Sequence, residues 1–321
     1  MKIMTRYKNN PILKPEDMPF DCFAVYNGGA VKIDDEYIML VRCEDMARRQ
    51  YTWAARSQNG YNFTPDPKPV VFVAENMELY NEYADKSWYD PRINAVEGQY
   101  YITYAASSDL GCMVGIGETK DFKTIRHVSF PHHPQNRNGV LFPDKFEGMY
   151  ALLHRPETGS IWISYSPDLK YWGDSRIVVN RGISPWNELN GHASRLKHKA
   201  TMISRWNNFK IGAGAPPIRT EKGWLLITHA VCASCAGHYY TMGAVLLDLK
   251  NPSKLIGLSD GAIMRPETEY EQTGFVPNVI FPCGAILEDD GSMKIYYGAA
   301  DNYECLVESR LSDILDKIRP L

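Results

Sequence analysis

Short apolar runs joined by acidic or glycine-bearing turns recur along the chain at a period of roughly 50 residues. Residues 29–33 and 37–42 flank Asp34-Asp35-Glu36, and 91–95 and 99–104 flank Val96-Glu97-Gly98. Residues 141–145 and 149–154 flank Phe146-Glu147-Gly148, and 215–219 and 224–229 flank Thr220-Glu221-Lys222-Gly223. The fifth pair, 281–285 and 293–298, surrounds Asp289-Asp290-Gly291. Each copy predicts a β-hairpin whose second strand is strongly apolar. A third strand usually follows and ends in a polar turn and an aromatic or apolar residue, as in 54–63, 115–122 and 162–172. Five such units predict an all-β chain folded as a five-bladed β-propeller with an axial cavity, a single domain over residues 1–321. A β-sandwich or two small β domains is the competing architecture. The one helix that stands out is C-terminal, about 311–318, and the proline-rich N-terminal segment, about 1–20, is expected to run over the surface.

Composition narrows the function more than the fold. Hydrophobic residues at 44% and charged residues at 23% describe an ordinary globular chain, long enough at 321 residues to bury a large core. A net charge of −3 and a pI near 6.3 give no electrostatic footprint for nucleic acid or an acidic membrane. No apolar stretch approaches the ~18 residues of a membrane span, and the first ten residues lack the apolar core of a signal peptide. The cysteines at 22, 43, 112, 232, 235, 283 and 305 are odd in number and mostly sit in apolar strand-like runs, as reduced core thiols do. Cys232-Ala-Ser-Cys235 has redox or metal spacing but no second pair beside it. Together these features predict a cytoplasmic protein. The aromatic-rich N-terminal loops are a candidate surface for a homo-oligomer.

The chemistry gathers first at Trp88-Tyr89-Asp90-Pro91-Arg92. A residue before proline is pushed toward extended geometry, so Asp90 belongs at the mouth of a strand. A carboxyl group set between two aromatics, partly out of water, is a candidate general acid. The alternative is a turn aspartate bonding its own backbone. In a propeller the innermost strands present their ends to one cavity. The repeat ends carry Asn27, Arg42, Asp90, Arg137, Lys210, His229 and Asp301. Several cations in register need an anion to neutralise them, and phosphate suits: Arg binds it bidentately, Lys and protonated His as point charges. Asn136-Arg137-Asn138 precedes an apolar run that anchors it, and Lys210 stands just before Gly212-Ala213-Gly214. That glycine pair is not a nucleotide loop, because Pro216-Pro217 forbids a following helix. The histidines are scattered without recurring ligand spacing, so neither a metal nor an organic cofactor is expected.

Six stretches taken together resemble glycoside hydrolase family 130. They are Val-Arg-Cys-Glu-Asp at 41–45, Tyr-Asp-Pro-Arg at 89–92, Asn-Arg-Asn-Gly-Val-Leu-Phe-Pro at 136–143, Lys-Ile-Gly-Ala-Gly-Ala-Pro-Pro-Ile at 210–218, Pro-Asn-Val-Ile-Phe-Pro-Cys at 277–283 and Tyr-Tyr-Gly-Ala-Ala-Asp at 296–301. The resemblance runs from about residue 10 to 315. It implies a five-bladed propeller acting mostly as a β-mannoside phosphorylase, on manno-oligosaccharides or mannosylglucose, with a minority of β-mannosidases. It implies Asp90 as the catalytic acid and Arg42, Arg137, Asn138, Lys210, His229 and Tyr240 as the phosphate-binding set. Asn27 and Asp301 resemble the residues that hold the mannosyl ring in the −1 subsite. Arg92 is counted with the substrate-binding residues, and Trp88, Tyr89 and Tyr303 are candidates for stacking on sugar rings. The family is thought to pass the acid's proton through a hydroxyl of the bound mannose. One departure touches the sugar site: Asn27 is followed by Gly28, where the family often has Ser or Pro.

The charge pattern favours phosphorolysis independently. An inverting glycosidase needs an acid and, across the sugar, a carboxylate base to activate water. Phosphate is already an anionic nucleophile and needs cations instead. The expected activity is therefore cleavage of a β-1,4- or β-1,2-mannoside by inorganic phosphate, giving α-mannose 1-phosphate with inversion. A β-mannosidase of the same fold and a non-catalytic carbohydrate-binding propeller are the alternatives.

Overall fold

The computed structural model describes residues 3–84, 87–182, 206–235 and 237–321. Five antiparallel sheets stand in a ring, the five-bladed β-propeller that the repeats predict. From the axis outward, blade I is Cys22–Ile33, Glu36–Asp45, Gln50–Ser57 and Thr64–Pro65. Blade II is Ser87–Val96, Gln99–Ser108, Gly111–Thr119 and Thr124–Ser129, with Val71–Val73 added in parallel at its outer edge. Blade III is Asn136–Leu141, Tyr150–Pro156, Ile161–Ser166 and Gly173–Val179. In blade IV the inner position is shared by Lys210–Ala213 and Ile218–Thr220, both paired with Gly223–Ser234; Gly237–Leu247, Leu255–Ser259 and Ile318–Pro320 follow. Blade V is Ile280–Leu287, Ser292–Ala299 and Tyr303–Arg310, with Thr5–Arg6 as its outer strand.

The packing explains why the second strands read as unbroken apolar runs. Each blade is covered on both faces, so successive side chains of one strand enter different cores. Met39 and Val41 pack toward blade V with Ile286 and Tyr296, while Ile38 and Leu40 pack toward blade II with Ile93 and Ile102. Leu152 joins the cluster between blades II and III; Ala151 and Leu153 join the one between III and IV. Leu225 and Ile227 complete the ring between IV and V. The innermost strand of blade I touches those of blades II and V, which closes the circle around the axis.

Four local expectations change. Asn136, Arg137 and Asn138 lie on the inner strand of blade III rather than ahead of it. The N-terminal segment does more than cross the surface: Thr5–Arg6 pairs with blade V, and Met4 and Leu13 are buried. Arg6 donates to both oxygens of the fully buried Glu271, at 2.7 and 2.8 Å, and the Tyr297 hydroxyl adds a third bond. The C-terminal helix is shorter than expected, Leu311–Leu315, because the chain turns into the strand Ile318–Pro320. A helix absent from the sequence reading, Met77–Ala84, seats Tyr80 and Ala84 against Tyr104 and Ala106; it buries too little to show a periodic stripe. Among the described residues, no helix is long and apolar enough to cross a membrane.

Candidate active site

Three inner strands carry the same irregularity. Their pairing slips between Tyr26 and Gly29, between Tyr89 and Arg92, and between Arg137 and Val140. At each bulge one residue adopts a left-handed backbone: Asn27 at φ 58°, Asp90 at φ 51° and Asn138 at φ 58°. Short polar Asn and Asp tolerate this region best among residues with a side chain. The bulge breaks the in–out alternation of the strand and turns the side chain toward the axis. Asp301, in the turn before the third strand of blade V, is also left-handed, at φ 50°.

These residues meet in one cavity of about 200 Å³. Asn27, Arg42, Tyr89, Asp90, Arg137, Asn138, Tyr240 and Asp301, all singled out in the sequence, line it together with Arg155, Val276, Val279 and Phe281. Asp90 is 8% exposed. Its Oδ1 accepts the Asn27 side-chain amide at 2.8 Å and a longer bond from Arg42 Nη1 at 3.4 Å. Arg42 is held in place by Glu44 Oε1 at 2.8 Å and lies between the rings of Tyr26 and Tyr89, 4.7 and 4.6 Å from their centroids. Glu44 Oε1 also accepts the Tyr26 hydroxyl.

The cations divide into two groups. Arg42 is neutralised by Glu44 and Asp90. Arg137, Arg155 and Lys210 form no ion pair among the described residues. Arg155 is 9% exposed and gives Nε and Nη2 to Asn138 Oδ1, at 3.0 and 2.7 Å. That fixes the Asn138 amide with its oxygen occupied and its nitrogen free to donate. Burial, with Arg137 close by, pushes the Arg155 guanidinium down to about 10, and burial with Arg155 and Arg137 lowers Lys210. A cluster of like charges half withdrawn from water is held at an electrostatic cost, and an anion bound among them removes it.

Other expected residues sit differently. His229 is fully buried against Phe281 and Tyr240, and neither ring nitrogen meets a side-chain hydrogen-bond partner among the described residues. Burial, then Arg155 and Arg92, drive it well below the usual histidine range, so it is a neutral donor rather than the expected point charge. Arg92 is 1% exposed and lies outside the cavity lining; it donates to Gly214 O at 2.6 Å and to Asp90 O at 2.9 Å, tying blade II to blade IV. Trp88 is on the opposite face of its strand from Tyr89 and packs on Phe72 and Tyr104. Tyr303 packs into the core between blades IV and V. Neither lines the cavity, so stacking on a sugar there falls to Tyr89 alone of the three.

Arg155 is the residue the sequence reading missed. The apolar run of the third repeat ends at His154, yet the residue after it pairs across with Arg137 and takes the place in blade III that Arg42 has in blade I. Reading each second strand one residue further would have found it.

Two more carboxyls stand near Asp90. Burial and then Asp90 push Asp301 up to about 7. Glu304, fully buried, accepts the Gly28 amide at 2.9 Å; burial outweighs that bond and, with Asp90, raises it to about 8. Gly28 has a packing reason: a Cβ there would lie 2.7 Å from Met39 Sδ and 3.2 Å from Glu304 Cδ. Among the described residues, no group of three or more His, Cys, Asp or Glu is placed to hold a metal ion.

Residues 4–319 match a family model described as beta-1,4-mannooligosaccharide phosphorylase. The chain is 31% identical to the beta-1,4-mannooligosaccharide phosphorylase of Ruminococcus albus, over 99% of this chain and 91% of that protein. It is 32% identical to a beta-1,2-mannobiose phosphorylase of Thermoanaerobacter sp., over 94% and 95% of the two chains. The solved beta-1,2-mannobiose phosphorylase of Listeria innocua, in complex with beta-1,2-mannobiose, superposes with a TM-score of 0.82 at 27% identity and covers 98% of each chain.

Proposed function

The chain belongs to glycoside hydrolase family 130, and we propose that it cleaves β-linked manno-oligosaccharides, β-1,4 or β-1,2, with inorganic phosphate. The products are α-mannose 1-phosphate and an acceptor shortened by one sugar. The observation that carries this reading is the pair Arg137 and Arg155 on the cavity wall, with Lys210 outside the lining but close enough to feel both charges, and no carboxylate fixed to any of the three among the described residues. A hydrolase needs a base there; a phosphorylase needs that charge.

In this mechanism phosphate sits among Arg137, Arg155, Lys210, the Asn138 amide and the Tyr240 hydroxyl, with His229 as a neutral donor behind them. Arg42 links this set to the acid. A phosphate oxygen attacks the anomeric carbon from the face opposite the leaving oxygen, the glycosidic C–O bond breaks, and configuration inverts. Asp90 supplies the proton that ends on the leaving oxygen. Because Oδ1 is occupied by Asn27 and Arg42, that proton is carried on Oδ2. Asn27 and Asp301 orient the mannosyl ring. The seven cysteines are free thiols, which suits a reducing, cytoplasmic setting.

The test is release of mannose 1-phosphate from β-1,4- and β-1,2-mannobiose, with and without inorganic phosphate. Phosphate-dependent release on either sugar supports the reading and assigns the linkage. Free mannose at a rate independent of phosphate would make the enzyme a mannosidase and overturn it.

A further inference from the structure

The cavity, at about 200 Å³, is smaller than the roughly 300–1,000 Å³ of pockets that enclose drug-sized ligands. It suits one sugar unit beside an oxyanion. The acceptor sugar of a mannoside then has to lie outside it, beside the loop that gives Val276 and Val279 to the lining, and a second loop reaches that one through Arg48. Residues 273–279 lead into blade V and give Val276 and Val279 to the lining; residues 45–50 join two strands of blade I.

Phe275 stands on the first loop and is 55% exposed. The Arg48 guanidinium, from the second loop, lies 3.8 Å from the Phe275 ring centroid and 4.1 Å from that of Phe23. The two phenyl rings meet edge to face at 6.1 Å. Arg48 is pinned in turn by Glu44 Oε2 at 2.7 Å, the same carboxylate whose other oxygen holds Arg42. Both loops are fixed by their own bonds: Val276 N to Ala300 O at 3.1 Å, Tyr240 N to Asn278 O at 2.9 Å, and Ala47 N and Arg49 N to Asp45 Oδ1, each at 2.9 Å. The contacts with Arg48 and Phe23 fix the orientation of the Phe275 ring and still leave more than half of it in water beside the polar cavity. The ring matches the apolar C–H face of a pyranose, which stacks on aromatic rings.

We propose that Phe275, held by the Arg48–Phe23 clamp, is the platform on which the acceptor sugar stacks, and so a specificity-determining residue of the reaction. The proposal rests on the phosphorylase reading above. It separates the two substrates of the synthetic direction: α-mannose 1-phosphate fills the cavity, and the acceptor meets Phe275.

The experiment runs that direction on purified enzyme, with α-mannose 1-phosphate as donor and mannose or mannobiose as acceptor. Phe275→Leu keeps an apolar side chain and removes the ring. The acceptor KM is expected to rise about tenfold, the worth of a good aromatic contact, with the donor KM unchanged. Phe275→Tyr restores the acceptor KM. An unchanged acceptor KM in Phe275→Leu, or an equal rise in both KM values, overturns the platform while the phosphorylase reading stands. Absence of any synthesis by the unaltered enzyme overturns both.

Discussion

The side-chain amide of Asn27 donates to Oδ1 of Asp90 at 2.8 Å, joining the inner strands of blades I and II at the centre of the ring. In the proposed mechanism the bond leaves one oxygen of Asp90 for the transferred proton. Asp90→Asn is isosteric and removes that proton. Turnover of a β-mannobiose should fall by about 10³-fold, within the range for loss of a general acid, while circular dichroism and the melting temperature stay close to those of the unaltered protein. Substantial residual turnover would remove Asp90 from the role.

Gly298 tests the same bond from behind. A Cβ there would lie 2.0 Å from Asn27 Oδ1, so Gly298→Ala must push the amide off Asp90. Activity should drop at least about tenfold, as misplacement of a reacting group does, and Asn27→Ala should add little to it. Fully additive losses would mean that Gly298 acts elsewhere.

Arg155 binds Asn138 and faces the cavity without a carboxylate partner. Arg155→Met should raise the KM for phosphate by about 10- to 100-fold, the scale of a charge-assisted hydrogen bond, with a much smaller change in the KM for mannobiose. Equal changes in both would place Arg155 in the scaffold only.

Glu304 gives a pH signature. Its folded pKa is raised, to about 8 from 4.5, so the folded protein holds a proton that the unfolded chain releases. That contribution to stability is complete below the unfolded value and is lost as pH rises through the folded one. Asp301, raised to about 7, acts in the same sense. Thermal melts of the ligand-free protein should show Glu304→Gln gaining on the unaltered protein from pH 4.5 to 8, by a few degrees at most, and level beyond that. A constant offset across this range would rule the buried proton out.

The Arg6–Glu271 pair closes blade V onto the N-terminal strand with one partner fully buried. Glu271→Ala leaves Arg6 with only the half-exposed Glu267 and the Arg265 carbonyl, and removes the acceptor of the Tyr297 hydroxyl and two backbone amides. Denaturant unfolding should show a loss of about 3–5 kcal/mol. A loss under about 1 kcal/mol would show the strand to be held by its backbone alone.

The hairpins were legible because each second strand is buried on both faces, which writes a continuous apolar run into the sequence. The cavity was legible where a polar residue interrupts such a run, as at Asn27, Arg42, Asp90 and Arg137. Which neighbour points inward was not. Alternation assigns faces two residues at a time, and the bulges at Asn27, Asp90 and Asn138 reset that count. Trp88, Tyr89 and Arg92 therefore looked equivalent in sequence, yet only Tyr89 reaches the cavity with Asp90. The neutral state of His229 depends on burial and on Arg155 and Arg92, from other blades, which no local window contains. The helix Met77–Ala84 buries only Tyr80 and Ala84, so its pattern carries almost no signal.

Asn27, Asp90 and Asn138 occupy the same left-handed notch in three successive blades. Backbone of this kind costs about 1–3 kcal/mol per residue, and the ring carries that strain whichever short polar side chain stands in each notch. Location and chemistry are thus separable in this fold. The backbone sets where around the axis a group can be mounted, and an Asn-to-Asp exchange sets whether that mount holds a donor or an acid. Moving the acid from one blade to its neighbour takes a pair of isosteric exchanges at Asn27 and Asp90. If Asp90 is the acid proposed above, the propeller is in effect a turret on which that acid can be re-mounted at another bearing around the axis.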